Sequence, residues 1–228
     1  PGFSYANNIA TTSDGNFIVA GTGYYSGNRV YDCVITKITA NGTIDTTFGS
    51  NGFATIDEGQ QDLPTSLKIL SDDRIIFGIT SIEGEQYGQF VLAKLMANGQ
   101  RDTSFGVDGL VRTSFDLPGC ITDFKMVANN KIVACGTLGT SEDVSKIGLA
   151  KYNENGTLDS SFGIGGKKEY QNSNYAKITV HALALLADGK IITGGTAYNP
   201  AATDFLVSYN LMKFNADGSV NAAFGANG

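Results

Sequence analysis

The catalytic chemistry available to this sequence rests on one histidine and a few pairs of carboxylates. His181 is the only histidine, and no Gly-x-Ser-x-Gly sequence precedes it, so a Ser-His-Asp triad is not indicated. Asp72-Asp73 and Glu142-Asp143 are neighbours in sequence, and adjacent side chains in a turn point apart. Glycoside hydrolysis instead requires two carboxyl groups from different segments that face one cleft. These residues define no reaction, and they lean towards a protein that is not an enzyme.

The sequence also predicts neither a metal site nor a cofactor site. Cys33, Cys120 and Cys135 show no Cys-x-x-Cys spacing, so neither a zinc site nor a disulfide framework is indicated. The sequence 153–156, Asn-Glu-Asn-Gly, is similar to part of an EF-hand loop, but Lys151 stands where the first oxygen ligand is needed and the final glutamate is missing. A calcium site elsewhere on the acidic surface stays open as an alternative.

The composition favours an all-β protein and excludes two classes of partner. The chain has 228 residues, of which 42% are hydrophobic, only 17% are charged and 29 are glycine, a balance typical of short strands joined by tight turns. The net charge of −6 argues against a nucleic-acid partner. The absence of a run of about 18 apolar residues argues against a membrane span. Many Thr, Asn, Ser and Gly residues and few lysines favour an extracellular, cell-surface or periplasmic location.

The sequence repeats itself four times. A turn followed by an apolar run occupies residues 14–22 and returns at 72–80, 129–137 and 188–196. A second block that ends in Phe-Gly occupies 37–49, 94–106, 151–163 and 213–225. The period of about 58 residues divides the chain into repeats at approximately 1–57, 58–116, 117–174 and 175–228.

Each repeat is predicted to form four short strands, which we term a to d. In the second repeat they are residues 65–70, 74–80, 90–95 and 110–113, separated by turns at Asp72-Asp73 and Asn98-Gly99. One such sheet cannot bury both of its faces alone, whereas sheets packed around an axis can. The prediction is therefore a single domain, residues 1–228, that is a β-propeller of four blades with four antiparallel strands each.

The Phe-Gly block has a local structural explanation. An aspartate accepts backbone N–H groups of a single turn, the phenylalanine is buried, and the glycine adopts a left-handed conformation. Asn221 keeps this acceptor in the fourth copy, which indicates that the cap is the shared requirement. The lysines at one position of strand c are interpreted as structural in the same way. The four aspartate or asparagine positions are Asp45, Asp102, Asp159 and Asn221, and the lysines are Lys37, Lys94, Lys151 and Lys213.

These motifs resemble the delta-60 repeat family, a bacterial β-propeller family of unknown function. The resemblance rests on Asp-Gly-Lys-Ile followed by a glycine at 188–195 and on Lys-Tyr-Asn-x-x-Gly-Thr-Leu-Asp-Ser-Ser-Phe-Gly at 151–163. It covers nearly the whole chain and implies a propeller, and it implies no catalytic residues. The second repeat departs from the pattern, since Asp73 replaces the glycine of the turn.

The two ends of the chain suggest how a ring would close. The fourth repeat ends before its strand d, and residues 2–5 are similar to the missing segment, so we expect them to complete the fourth blade. The alternatives are a piece of a longer array or half of an eight-bladed dimer. The expected state is a monomer or a dimer.

Two groups of residues are candidates for ligand binding. Strand a is innermost in a propeller, so its polar side chains would line the channel and could bind a small polar or anionic ligand; the alternative is a solvated channel with local ion pairs. Loops between strands b and c vary in sequence and carry tyrosines that suit contact with a protein or glycan. The candidates are Lys68, Asp123, Lys125 and His181 in the channel, and Tyr24, Tyr25, Tyr87 and Tyr198 in the loops.

The function predicted from these observations is a non-catalytic recognition or scaffolding module that binds a protein or glycan, without cofactor or metal. The alternatives are a hydrolase or lyase with its site at the channel mouth, or a purely structural repeat segment of a larger surface protein. The enzyme alternative predicts that Asp123 or His181 is required for turnover.

Overall fold

The chain forms antiparallel β-meanders joined by tight turns. The structure is a computed structural model that describes residues 2–24, 31–59, 61–83, 86–139, 145–171, 175, 177–198 and 207–225. It divides into two compact units, Pro1–Thr113 and Ser114–Gly228. Apart from one three-residue 3-10 turn, all regular elements of the described residues are strands, which confirms the all-β prediction. No described helix is long and apolar enough to cross a membrane.

The first unit contains two meanders of four strands. They are joined into an eight-stranded sheet by a single parallel pair, Tyr31 with Gln61. The first meander consists of β1 (Gly2–Thr11), β2 (Phe17–Tyr24), β3 (Tyr31–Ile38) and β4 (Phe53–Ile56). The second consists of β5 (Gln61–Ile69), β6 (Ile75–Glu83), β7 (Gln86–Leu95) and β8 (Leu110–Thr113).

The second unit contains a sheet of four strands and a sheet of three. The 3-10 turn, Ala128–Asn130, joins the first two strands of the larger sheet. This sheet consists of β9 (Gly119–Val127), β10 (Lys131–Leu138), β11 (Lys146–Tyr152) and β12 (Lys167–Tyr170). The smaller sheet consists of β13 (Lys177–Leu185), β14 (Ile191–Tyr198) and β15 (Val207–Phe214).

The strands follow the predicted positions closely. In the second repeat β8 has the predicted bounds, while β5 and β7 begin four residues before theirs and β6 runs three residues further. The turn between strands a and b needs a positive φ in every repeat, and Asp73 adopts φ of 60° where the first repeat has Gly15 at 79°. Aspartate tolerates this conformation better than most residues, which explains the departure at Asp73.

The prediction that residues 2–5 complete the fourth repeat is wrong. Gly2, Phe3 and Tyr5 belong to β1 and pair with Tyr24, Gly23 and Thr22 of β2 in the first repeat. Within the described residues β15 pairs only with β14. The likeness to strand d was too short to set a pairing partner, whereas continuity with the rest of β1 extends an existing ladder without a new loop.

Two of the inner strands, β3 and β10, bury both of their faces. Five consecutive residues of β3 and seven of β10 are buried, whereas β13, a strand a, exposes Thr179 and His181 between its buried residues. The burial of β3 and β10 is therefore continuous, and β13 alternates near these residues, as expected for a strand with one solvated face. Each unit has its own apolar cluster, with Phe77 at 0% exposure in the first and Phe214 at 0% in the second.

The Phe-Gly block forms the cap that the sequence predicts. In the second repeat Asp102 Oδ1 accepts hydrogen bonds from Ser104 N (3.1 Å) and Ser104 Oγ (2.5 Å), and Phe105 N donates to Asp102 O (3.0 Å). Phe105 is fully buried and Gly106 has φ of 59°. Asp45 and Asp159 make the equivalent bonds to Thr47 and Ser161.

The cysteines are expected to be inert in the folded protein. All three are buried and free, with Cys33 and Cys135 at 0% exposure. Burial raises the pKa of the Cys33 thiol well above its usual range and that of Cys135 to about 12, so the reactive thiolate is scarce at neutral pH. We expect a disulfide reagent at pH 8 to label the native protein at least about 100-fold more slowly than the protein in guanidinium chloride. Rapid labelling of the native protein would contradict this placement.

Candidate functional site

The four predicted channel residues lie on strand a, but two of them, Asp123 and Lys125, are paired with each other. The Asp123 carboxylate accepts hydrogen bonds from Lys125 Nζ (2.6 and 2.8 Å), Phe124 N (2.8 Å) and Leu183 N (2.9 Å). His181 is exposed on β13. The second unit therefore contains a local ion pair within β9, as in the alternative interpretation, and the bond from Leu183 N links β9 to β13. Lys68 is exposed on β5 of the first unit, and binding of one ligand by the four residues stays a prediction.

The predicted loop tyrosines lie largely in strands. Tyr24 ends β2 opposite Tyr31, Tyr87 lies in β7 opposite Ile82, and Tyr198 ends β14 opposite Val207. Their placement in loops is wrong, because the hairpin ladders continue further than the apolar pattern of the sequence indicates. Tyr25 lies outside the described residues. Binding by these tyrosines stays a prediction.

The second unit has an open cleft of about 310 Å³ that no prediction included. Two of its residues are carboxylates that are distant in sequence: Asp116 precedes β9, and Glu169 lies on β12. They are brought together by a hydrogen bond of 2.9 Å from Asp116 N to Glu169 Oε1. We name this the Asp116–Glu169 cleft, and its lining residues are Phe115, Asp116, Ile164, Lys167, Lys168 and Glu169.

Glu169 is held in a fixed position at the cleft. Its second oxygen, Oε2, accepts a hydrogen bond from Lys146 Nζ at 2.9 Å. Burial alone would raise the pKa of Glu169, but the bonds from Lys146 and from the Asp116 backbone hold it below its usual value. Glu169 is thus an ionised carboxylate over most of the pH range in which proteins are stable.

The rest of the cleft combines apolar surface with ammonium groups. Lys167 Nζ lies 5.4 Å from the centre of the Phe115 ring and donates a 2.7 Å hydrogen bond to Ser114 O. Ile164 is 85% exposed, which is unusual for an isoleucine and adds an apolar side to the cleft. Lys168 contributes a second ammonium group. The cleft can therefore contact an apolar face and donate to, or accept from, polar groups of the same ligand.

Sequence reasoning missed this cleft because it examined carboxylates that are adjacent in sequence or that lie on strand a. Asp116 and Glu169 are 53 residues apart, and neither is part of the repeated motifs. One signal was available: Glu169 is the acidic residue of a strand d, Lys-Lys-Glu-Tyr, whose other copies have different residues there.

In the first unit, one group of carboxylates is close enough to hold a metal ion. Asp32, Asp57 and Asp62 each place an oxygen within 4.8 Å of those of the other two. Asp32 and Asp62 are buried and Asp57 is exposed. Among the residues that the structure describes, this is the one such group.

A family model matches four segments of the chain, one in each repeat. Its description is a domain of unknown function (DUF5122) that is a β-propeller, and the segments are residues 12–48, 70–105, 128–162 and 186–224. Together they cover more than half of the 228 residues. No curated protein matches the sequence.

Solved structures of several enzymes are similar to this chain at low identity. An endo-arabinase from Bacteroides thetaiotaomicron is 12% identical, with 95% of this chain and 80% of the enzyme covered and a TM-score of 0.47. A glycosyl hydrolase from Bacteroides ovatus is 12% identical, with 93% and 68% covered and a TM-score of 0.44. An α-L-arabinofuranosidase from Fusarium graminearum is 12% identical, with 95% and 64% covered and a TM-score of 0.49.

These comparisons correct the predicted function. The sequence predicted a non-catalytic recognition or scaffolding module, whereas the three similar structures are named as enzymes, in agreement with the alternative of a hydrolase. The prediction of a non-catalytic module is therefore wrong. Likeness at this identity concerns the fold and carries no activity to this chain, so a reaction has to be argued from its own residues.

Proposed function

The chain belongs to the DUF5122 β-propeller family, and from that premise we propose that it is a hydrolase that cleaves glycosidic bonds in the Asp116–Glu169 cleft. The observation that carries the proposal is that two carboxyl groups from segments far apart in sequence line one open cleft. Most glycoside hydrolases use two carboxyl groups that flank the bond to be broken.

The lining of the cleft supports a glycan as the substrate class. A sugar ring has faces of C–H groups and a rim of hydroxyl groups. Phe115 and Ile164 offer apolar surface for the faces, and Lys168 and Asp116 offer a donor and an acceptor for the hydroxyl groups. Because the cleft has groups of both charges, a neutral glycan fits it better than a strongly charged polymer.

The proposed reaction assigns one role to each carboxyl group. Asp116 is assigned the role of general acid: it gives a proton to the glycosidic oxygen while the bond from that oxygen to the anomeric carbon breaks, and it regains a proton from solvent after each turnover. Glu169, as the carboxylate, takes a proton from the water that attacks the same carbon. The product sugars carry the hydroxyl group from water and the proton from Asp116. The lowered pKa of Glu169 suits this role, because the base stays ionised in mildly acidic solution.

The test is release of reducing sugar from a panel of neutral polysaccharides and aryl glycosides. We expect turnover of at least one member of the panel, and we expect Glu169→Gln to lower kcat by a factor of about 100 or more. The glutamine side chain keeps a carbonyl acceptor for the Asp116 N–H, while the base and the second acceptor, which binds Lys146 Nζ, are removed. Incorporation of ¹⁸O from labelled water into the product would distinguish hydrolysis from elimination.

Glu154→Gln is the matched control in the same unit. Glu154 is exposed and accepts a 2.9 Å hydrogen bond from Asn130 Nδ2, away from the cleft lining, so this variant should retain full activity. The proposal fails if no glycan of the panel is cleaved, or if Glu169→Gln and Asp116→Asn retain the wild-type rate. A structural role for the repeats would then be the better interpretation.

The proposal also includes a four-bladed propeller that forms one domain, residues 1–228, outside the cell. What supports four blades is that each repeat contributes one antiparallel meander. The same proposal includes identity with the delta-60 repeat family and an extracellular, cell-surface or periplasmic location. It also includes a monomeric or dimeric state. Sedimentation velocity of the purified chain measures the last of these.

A further inference from the structure

Strand pairing brings the carboxylates of Asp32, Asp57 and Asp62 to one end of the sheet in the first unit. Cys33 of β3 pairs with Ile56 of β4 in antiparallel fashion, so Asp32, one residue earlier, lies beside Asp57, one residue later. The parallel pair of Tyr31 with Gln61 places Asp32 and Asp62 next to each other on β3 and β5. One oxygen of each carboxylate lies within 4.8 Å of the others.

Two of these carboxylates have a buried oxygen without a partner. Asp62 has 0% and Asp32 has 9% of its surface exposed, and Oδ1 of each lacks a hydrogen bond. The second oxygen of Asp62 accepts a 2.5 Å hydrogen bond from Glu58 N, which fixes the side chain. A buried polar atom without a partner is destabilising, and more so if it is charged, so two neighbouring carboxylates with such atoms point to a bound ligand.

The ligand that suits these carboxylates is a cation. The nearby guanidinium of Arg112 is bound to Glu58 by bonds of 2.6 and 2.8 Å. None of the ion pairs among the described residues includes an aspartate of the cluster.

We infer that Asp32, Asp57 and Asp62 bind one calcium ion. Each residue supplies a carboxylate oxygen, the hard ligand that calcium prefers. The exposed Asp57 leaves the site accessible from solvent, so that water can complete the coordination shell. The two buried aspartates hold the ion against the sheet, where it joins β3, β4 and β5.

The ligand set favours calcium over magnesium. Calcium accepts about six to eight oxygen ligands in a flexible geometry, whereas magnesium demands a nearly ideal octahedron and keeps several of its waters. The three carboxylate oxygens all lie within 4.8 Å of one another, close enough for one ion to bind all of them, and water can supply the remaining calcium ligands.

Isothermal titration calorimetry of the full chain, freed of metal with EDTA, tests this inference. We expect calcium chloride to bind at one site per chain, with a dissociation constant below about 1 mM and at least about tenfold more tightly than magnesium chloride. Asp57→Asn should weaken calcium binding about tenfold or more, and because Asp57 is exposed this variant should fold normally.

Asp108→Asn is the control for a general loss of negative charge. Asp108 is exposed, lies in the same unit and has φ of 52°, a conformation that asparagine tolerates well, so calcium binding should be unchanged. The inference is wrong if the wild-type chain shows neither binding heat nor a rise in melting temperature at about 5 mM calcium. It is also wrong if magnesium binds equally well or if both variants lose affinity alike.

Asp32→Asn gives a second readout that a purely structural aspartate would not give. In EDTA the variant should melt at the same temperature as the wild type or higher, because one of the mutually repelling carboxylates is gone. In calcium the order should reverse, because only the wild type gains from the ion. A melting temperature that falls equally in both conditions would overturn the inference. The cluster shares no residue with the Asp116–Glu169 cleft, so failure of one proposal leaves the other intact.

Discussion

Asp102→Asn is expected to lower the free energy of unfolding by about 3–5 kcal/mol, the cost of breaking a buried ion pair. Asp102 lies 3.5 Å from Lys94 Nζ and 3.0 Å from Arg74 Nη1. Lys94 is only 3% exposed, so without the carboxylate its charge stays buried, with the Phe105 ring 5.5 Å away as partial compensation. The asparagine side chain keeps a carbonyl acceptor for Ser104, so the loss reports on charge and not on the cap. Urea denaturation at pH 7 measures it.

Asp45→Asn is the matched control, because Asp45 makes the same cap to Thr47 and its repeat pairs Lys37 with Asp14 instead. We expect a loss below about 1 kcal/mol there. The fourth repeat gives a natural precedent. There Asn221 occupies the position of Asp102, and Lys213, the equivalent of Lys94, is half-buried instead of buried. Equal losses in the two variants would mean that the ion pair of Asp102 does not stabilise the fold.

The effect of Asp102→Asn should also depend on pH. Burial alone would raise the pKa of Asp102, but hydrogen bonds from Ser104 and Arg74 and the charge of Lys94 hold it below the usual value. A carboxyl group with a lowered pKa in the folded state stabilises the protein above its unfolded pKa, and this contribution is lost as the pH falls through the folded value. The difference between wild type and variant should thus be constant from pH 5 to 7 and shrink below about pH 4. Unfolding curves at pH 3, 4, 5 and 7 would show it.

Gly106→Ala should be strongly destabilising, at about 4 kcal/mol. A methyl group at this position would lie 2.1 Å from Leu110 O and 2.6 Å from Val111 Cγ2. Leu110 O also accepts the 2.8 Å hydrogen bond from Val107 N that begins β8. The strand would have to move, and φ of 59° adds the strain of a left-handed conformation.

Gly15→Ala separates the clash from the strain. Gly15 has φ of 79°, but no atom lies within 4 Å of a methyl group placed there. This variant should lose about 1–2 kcal/mol, the cost of the left-handed conformation alone. Thermal or urea denaturation of both variants measures the difference. If Gly15→Ala lowers the free energy of unfolding as much as Gly106→Ala does, then the close approach of β8 to Gly106 is relieved at little cost.

Much of the fold follows from local sequence. The turns at Gly15 and Asp73 and the cap at Asp102 each depend on residues within a few positions, and their conformations are those that glycine and aspartate favour. The repeats therefore predict where strands begin and end, and the bounds of β8 agree with the structure. The prediction failed for Tyr87, because the length of a hairpin ladder depends on pairing with the opposite strand.

Sites depend on information that local sequence does not contain. Asp116 and Glu169 meet across 53 residues, and Asp32 meets Asp62 through one parallel pair between two repeats. Neither encounter has a periodic signal, because each occurs once and lies outside the repeated motifs. Residues 2–5 show the same limit. More than one strand edge was available for them to pair with, and their partner is set by the pairing of the whole of β1 with β2.

The amino-acid sequence alone thus determined the repeats, their turns and caps and the buried strands, because each of these is set by hydrogen bonds and side-chain burial within about 15 residues of chain. Tertiary structure decided which carboxylates face one another and which of them lose contact with water. Those properties depend on the register between strands that are distant in sequence, and a one-residue change in register would turn every side chain of a strand to the opposite face.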